Sequence, residues 1–210
     1  MYHFKKLVKN KPILDYVSDL HIDKYPQIHP RFDFLKKTKK DRILAIVGDL
    51  TDYNPVLTRN FLSIVSDKYK HILYVPGNHE YWNNYKISKE KIDDELQFIC
   101  NKLKNVSFLN NSSIVIDDIK YIGSTLWSHI DNSSQKDYLS NYTKILTNNN
   151  KLTIADTNHL HHNSVNYIMG ISQGFRDQMG SIDSVVIILI ACAGALAFIV
   201  LYNLTNINIQ

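Results

Sequence analysis

Residues 43–52 read ILAIVGDLTD, and the fold turns on them. Five apolar residues, β-branched at Ile43, Ile46 and Val47, stop at Gly48, and the carboxylates Asp49 and Asp52 follow at once. Such a run, too short for a core helix and closed by a turn residue, reads as a buried strand. The same grammar recurs on both sides. Residues 13–18 (ILDYVS) lead into Asp19 and His21, and residues 71–76 (HILYVP) lead into Gly77, Asn78, His79 and Glu80. Between the second and third runs, Asn54 and Pro55 form an N-cap and first-turn pair that opens a helix to about Tyr69. Ser88 is placed to cap a second helix to about Lys104, with Ile92, Leu96, Ile99 and Leu103 at helical spacing. Strands alternating with helices predict an α/β layered fold. Further along, Ser113–Ile116 and Lys120–Gly123 flank Asp117 and Asp118 as a tight hairpin, and Thr153–Ile168 reads as a weakly patterned helix.

The carboxyl ends of neighbouring strands in an open α/β sheet face one crevice. Three loops bearing Asp19 and His21, Asp49 and Asp52, and Asn78 and His79 are therefore expected to meet there. Asp and His suit Mn, Zn or Fe, and an Asn carbonyl completes a shell without adding charge. The two oxygens of Asp49 allow it to bridge two cations, which in two-metal hydrolases lie roughly 3.5–4 Å apart, polarise a phosphoryl group and lower the pKa of bound water toward about 7.

Three blocks, YVSDLHID at 16–23, VGDLTDY at 47–53 and VPGNHEYW at 75–82, together with GSTLWS at 123–128, resemble the calcineurin-like metallophosphoesterase family over about residues 13–168. The resemblance implies a layered sandwich and hydrolysis of a phosphomonoester or phosphodiester by metal-bound hydroxide. It makes Asp19 and His21 ligands of one metal, Asp49 the bridge and Asn78 a ligand of the second. His79 would protonate the leaving alcohol, and Asp52 would orient His79 or a loop. The cofactors implied are two divalent ions, Mn, Fe or Zn. The family's later blocks bring three further histidines, one in a T-H-H-like strand end and two in G-H-x-H, and none of the seven glycines here precedes a His. The sandwich is accordingly expected to be incomplete and the second metal weakly held. His159, His161 and His162 are expected to be exposed on their helix, and His3, His29, His71 and His129 have no motif. Tyr53, Tyr81 and Trp82 border the crevice, as stacking surfaces or as core.

At 210 residues and 24.3 kDa, with 44% hydrophobic and 21% charged residues, the chain is neither disordered nor low-complexity. A net charge of +4 gives no reason to expect a nucleic-acid partner. Two cysteines, Cys100 and Cys192, make no disulfide framework. Beyond residue 168 only Arg176, Asp177 and Asp183 carry charge, and Val185–Tyr202 is a run of 18 residues without a polar side chain other than the closing Tyr202. As a helix it would span ~27 Å, close to a hydrocarbon core. The tail, ending YNLTNINIQ, resembles the last span of FtsX-like permeases of ABC transporters. The expected organisation is a phosphoesterase domain at 1–168, a linker at 169–184, a transmembrane helix at 185–202 and a short tail at 203–210. The chain would be a single-pass membrane protein, and with no signal sequence at Met1–Asn10 the first domain would be cytoplasmic. Its partners would be a phosphoester substrate and a membrane. The competing expectations are an inactive, membrane-tethered chain and a junction of two unrelated coding fragments.

Overall fold

The computed structural model describes residues 14–25, 30–131, 144–178, 186–193 and 196–203. Strands β1 (Leu14–Val17), β2 (Lys39–Val47) and β3 (Tyr69–Val75) form where the three apolar runs were read, and β4 (Val106–Phe108) joins them in one parallel sheet of order β1-β2-β3-β4. Helix α1 (Pro55–Ser66) starts as its cap predicts: the Leu57 N–H donates to the Asn54 side chain at 3.0 Å, and Pro55 occupies the first turn. Helix α2 (Lys89–Asn101) follows Ser88, although the Ser88 hydroxyl makes no capping bond to it.

The parallel sheet is buried on both faces, which is why its strands are almost continuously apolar. Leu44, Ile46, Ile72 and Tyr74 point to the helices and meet Phe61, Leu62, Val65, Ile92, Leu96 and Ile99. The alternate residues Ile43, Ala45, Val47, Leu73 and Val75 point the other way, into a second core with Leu109 and Tyr121. That second core lies under a second sheet. Strands β5 (Ser112–Ile116) and β6 (Ile119–Ser124) are joined through Asp117 and Asp118, both at positive φ (51° and 63°), the backbone of a two-residue hairpin turn. A small ribbon, β7 (Leu146–Thr147) with β8 (Asn150–Lys151), precedes helix α3 (Ile154–Gln178). Thr153 and Asp156 cap α3 reciprocally: the Asp156 N–H donates to the Thr153 hydroxyl at 3.1 Å, and the Thr153 N–H donates to the Asp156 carboxylate at 2.9 Å. The helix is far longer than its sparse apolar marks at Ile154, Val165 and Ile168 indicated, and it runs across residue 168.

The expected membrane helix is corrected by the structure. Within residues 185–202 and the residue after them, strands β9 (Val186–Ala193) and β10 (Leu196–Asn203) pair antiparallel, and β9 lies parallel to β6, giving a second sheet of order β10-β9-β6-β5. An apolar run without periodicity does not distinguish a helix from buried strands, and this one is rich in Val and Ile, whose branched side chains favour extended backbone. Among the described residues no helix is long and apolar enough to cross a membrane. The permease resemblance presupposed such a helix, and the strands remove its structural basis. The second sheet thus draws half its strands from the run expected to form the membrane helix.

Candidate metal centre

The first and second predicted loops leave the ends of their strands through left-handed turns. Asp19, His21 and Asp49 have φ of 52°, 42° and 53°, and Gly48 has φ of 77°. Non-glycine residues pay about 1–3 kcal/mol for strained backbone of this kind, which persists where surrounding contacts over-determine it. Those contacts are present. The Asp19 N–H donates to the Gly48 carbonyl at 3.1 Å, the His21 N–H to the Asp49 carbonyl at 3.1 Å and the Ile22 N–H to the Leu50 carbonyl at 2.9 Å. The third loop is tied to the second by the His79 N–H, which donates to Asp49 Oδ1 at 3.1 Å.

Glu80 is the buried clamp of this arrangement, 2% exposed. Its Oε2 accepts from the N–H groups of Gly77 at 2.7 Å and Asp49 at 3.2 Å, and its Oε1 accepts from the Leu50 N–H at 2.7 Å and the Tyr74 hydroxyl at 3.1 Å. One carboxylate thus fixes both the second and third loops. Sequence reading assigned Glu80 no role; a charge set between Pro76 and the aromatic pair Tyr81–Trp82 was the available signal.

The loops bring together most of the expected residues. Donor atoms of His21, Asp49 and His79 lie within 4.8 Å of one another, as do those of His21, Asp23 and Asp52. Asp23 was not anticipated. Asp19 stands outside both sets, but its charge acts on Asp49. Asn78 precedes His79 on the same turn.

The donors suit a divalent cation. His21 Nδ1 and Asn78 Oδ1 are both buried with no hydrogen-bond partner, the condition of a lone pair kept for an ion. Burial lowers the His21 pKa, helped by the His79 and Lys24 charges, so its imidazole is neutral and ligand-competent at pH 7. Gly77 passes so close that a Cβ there would stand 2.2 Å from Asp49 Oδ1.

His79 is held on three sides. Its Nδ1 lies 2.6 Å from Asp52 Oδ1, which only accepts, so Nδ1 carries a proton and Nε2 is the ring nitrogen left for the chemistry. The Trp82 ring covers its face at 3.7 Å, and the His21 ring meets it edge-on at 4.7 Å. Of the other aromatics, Tyr81 is core, fully buried with its hydroxyl donating to Asp93 at 2.7 Å, while Tyr53 donates to Glu95. Cys100 is buried and its thiol is pushed up to about 12, leaving the chemistry to His, Asp and Asn.

These carboxyls give the metal-free chain a pH signature. Burial, with the Asp49 carboxylate alongside, pushes Glu80 up to about 8, and burial raises Asp49 as well. A carboxyl with a higher pKa folded than unfolded holds its proton more tightly in the fold. Its contribution to stability is present at low pH and lost as pH rises toward the folded value. Burial lowers His21 and His71, which act in the opposite sense, but only below their ordinary 6.5. From pH 6.5 to 8, thermal melts of metal-free protein are therefore expected to shift downward, by about 2 kcal/mol or roughly 5 °C. A melting temperature that rises across that window contradicts the assignment.

The sequence profile described as calcineurin-like phosphoesterase matches residues 14–182. An uncharacterized protein of Acanthamoeba polyphaga mimivirus is 38% identical over 175 residues, covering 75% of this chain, and the chain spans 61% of that relative's length. Among solved structures, phosphopantetheinyl hydrolase from Mycobacterium tuberculosis shares the fold with a TM-score of 0.52 at 16% identity, covering 87% of this chain and 68% of the other. With the strand-end loops, the paired sheets and the profile in agreement over most of its length, the chain belongs to the calcineurin-like phosphoesterase family.

Proposed function

We propose that this protein is a metal-dependent phosphoesterase that hydrolyses a phosphomonoester or phosphodiester at the crevice where the three loops meet. The observation that carries the reading is the meeting of His21, Asp49 and His79 beside two buried, unpartnered donor atoms, His21 Nδ1 and Asn78 Oδ1. Asp19, His21 and Asp49 would hold one cation, and Asp49 with Asn78 a second, more weakly. Bound there, a divalent cation polarises the phosphoryl oxygens and stabilises charge that develops on them.

The chain's own groups do the rest. Asp52 fixes the Nδ1–H of His79 and, with the Trp82 face, limits rotation of the ring. In its imidazolium form, with Nδ1–H held by Asp52, His79 would pass its Nε2 proton to the departing alcohol oxygen and be left as the neutral ring, a step in which a positioned acid contributes typically 10²–10⁴-fold. Glu80 keeps the Asp49 and Gly77 backbone in place without touching substrate.

Hydrolysis of p-nitrophenyl phosphate or its bis-ester with Mn²⁺, Fe²⁺ or Zn²⁺ tests the proposal. Turnover is expected with at least one ion, and Asp49→Asn is expected to lower it by at least about 10²-fold. Absence of turnover with every ion, or an unaffected Asp49→Asn variant, overturns it. Because both three-donor sets draw on His21, a second reading has support: a chain that binds one ion without catalysis. One Mn²⁺ equivalent by calorimetry together with no turnover selects that reading.

A further inference from the structure

His21 belongs to two donor sets and can complete only one of them at a time. A nitrogen of its ring lies within 4.8 Å of ligand atoms of Asp49 and His79, and one lies within 4.8 Å of those of Asp23 and Asp52. A neutral imidazole has one lone pair, so one ring ligates one ion. The set with Asp49 is the inner one, since Asp49 is buried, whereas Asp23 is exposed and the Asp52 side chain is 39% exposed. Among the described residues the other histidines form no comparable set. The rings of His129, His161 and His162 lie 5.4–5.6 Å apart, but their Nδ1 atoms are engaged by Asp131, the Trp127 carbonyl and the Asn158 carbonyl. Of the helical histidines expected on the surface, His159 and His162 are exposed and His161 is half-buried.

Local structure assembles the outer set. His21 and Asp23 share one turn, closed by the Lys24 N–H, which donates to the His21 carbonyl at 2.8 Å. The Ile22 N–H, donating to the Leu50 carbonyl at 2.9 Å, ties that turn to the loop that carries Asp52. Asp52 uses Oδ1 for both of its bonds, from His79 Nδ1 at 2.6 Å and from Lys24 Nζ at 3.4 Å, so an ion at Oδ2 need not release His79. His21 Nδ1 is buried without a partner, and a metal on the ring breaks no hydrogen bond there. The Lys24 ammonium is the cation that Asp52 now holds. The two side chains are 45% and 39% exposed, and so open a pair is weak enough for a dication to displace. Bonds of 2.0–2.2 Å to imidazole and carboxylate put ligand atoms roughly 3.5 Å apart, so closing the set on an ion takes about 1 Å of movement. The exposed Asp23 can supply it.

We propose that His21, Asp23 and Asp52 form an outer metal position that takes one borderline transition-metal ion, such as Zn²⁺ or Co²⁺, and when filled withholds His21 from the inner position. One imidazole and two carboxylates neutralise a dication and suit ions of this kind. The proposal rests on the reading of the inner centre as the hydrolytic one, because it makes the outer ion an inhibitor of that centre. Charge adds to the effect: a dication on Asp52 competes for the negative charge that holds the Nδ1–H of His79. Excess metal is therefore expected to switch the chain off. Asp23, which takes no part in the inner set, is the residue that makes it sensitive.

Titration of the full-length chain with Co²⁺, read by visible d–d absorption and by calorimetry, tests the position without relying on turnover. Asp49→Asn, which impairs the inner set, is expected to keep one Co²⁺ equivalent, and adding Asp23→Asn to weaken that equivalent at least 10-fold. Lys24→Met is expected to tighten it by up to about 5-fold, since a competing ammonium is gone. Circular dichroism verifies folding, and Asp23→Ser replaces Asp23→Asn if that variant fails to fold. With p-nitrophenyl phosphate, Zn²⁺ beyond the amount giving full activity is expected to lower the rate at least 10-fold. Asp23→Asn is expected to need at least 10-fold more Zn²⁺ for the same loss. An Asp49→Asn chain that binds no Co²⁺, or binds it equally with and without Asp23, overturns the outer position, and equal Zn²⁺ sensitivity of parent and Asp23→Asn overturns its inhibitory role. Asp23-dependent Co²⁺ binding in a chain without turnover upholds the position and overturns the hydrolytic reading alone.

Discussion

Replacement of Glu80 by alanine is expected to unfold the protein or bring it close to unfolding. The substitution strips the acceptor from four buried donors at once: the N–H groups of Asp49, Leu50 and Gly77 and the Tyr74 hydroxyl. Each orphaned donor costs about 1–3 kcal/mol, so the sum reaches several kcal/mol against a total stability on the order of 5–15. The site offers little room for water to compensate, because Leu50 and Tyr74 are fully buried and Asp49 is only 3% exposed. Glu80→Gln retains one acceptor oxygen and turns an amide N–H₂ toward donors, so a loss near 2–3 kcal/mol is expected. Urea melts followed by circular dichroism separate the two. An alanine variant that melts within about 1 °C of the parent would show that Glu80 is not the clamp.

The second large effect is expected at Gly77. An alanine Cβ would sit 2.2 Å from Asp49 Oδ1 and 2.6 Å from the Asp49 backbone nitrogen. Contacts that short cannot be accommodated where they stand. Either Asp49 turns away, losing the bond from the His79 N–H, or the third loop lifts off the second. Both outcomes separate Asp49 from His21 and His79, so Gly77→Ala is expected to weaken Mn²⁺ binding by ~10–100-fold, the usual cost of losing the contacts that orient a ligand. Gly170→Ala is the control. A Cβ there meets nothing within 4 Å, and alanine is the better helix former by about 1 kcal/mol, so stability should rise slightly with binding unchanged. Equal Mn²⁺ affinity in the Gly77→Ala variant and the parent would sink the argument.

What could be read from the sequence was what depends on local pattern. The three strands around residues 14–17, 43–47 and 71–75, the Asn54–Pro55 helix start and the Asp117–Asp118 turn are each specified by a few adjacent residues, and each formed. The convergence of His21, Asp49 and His79 was legible because parallel strands place their carboxyl ends on one side of a sheet. The missed features depend on burial or on distant partners. Glu80 is one letter of a motif until its surroundings turn it into an acceptor for four donors. His129 and His161 are separated by 32 positions and meet only because Asn158 holds one segment against the other. The run at 185–202 carried no period, so its length alone spoke for a helix, and its pairing with β6 could not be seen locally.

That pairing governs the order in which the molecule can assemble. β9 binds Tyr121 through Ser124 only after more than sixty intervening residues have been made, whereas β5 and β6 close on each other across a two-residue turn. Non-local parallel pairing of this kind pays its loop-closure entropy before any contact repays it, which raises contact order and slows folding. The parallel sheet and its loops can therefore assemble early, while the flank of β6 that receives β9 stays open until β9 has been made.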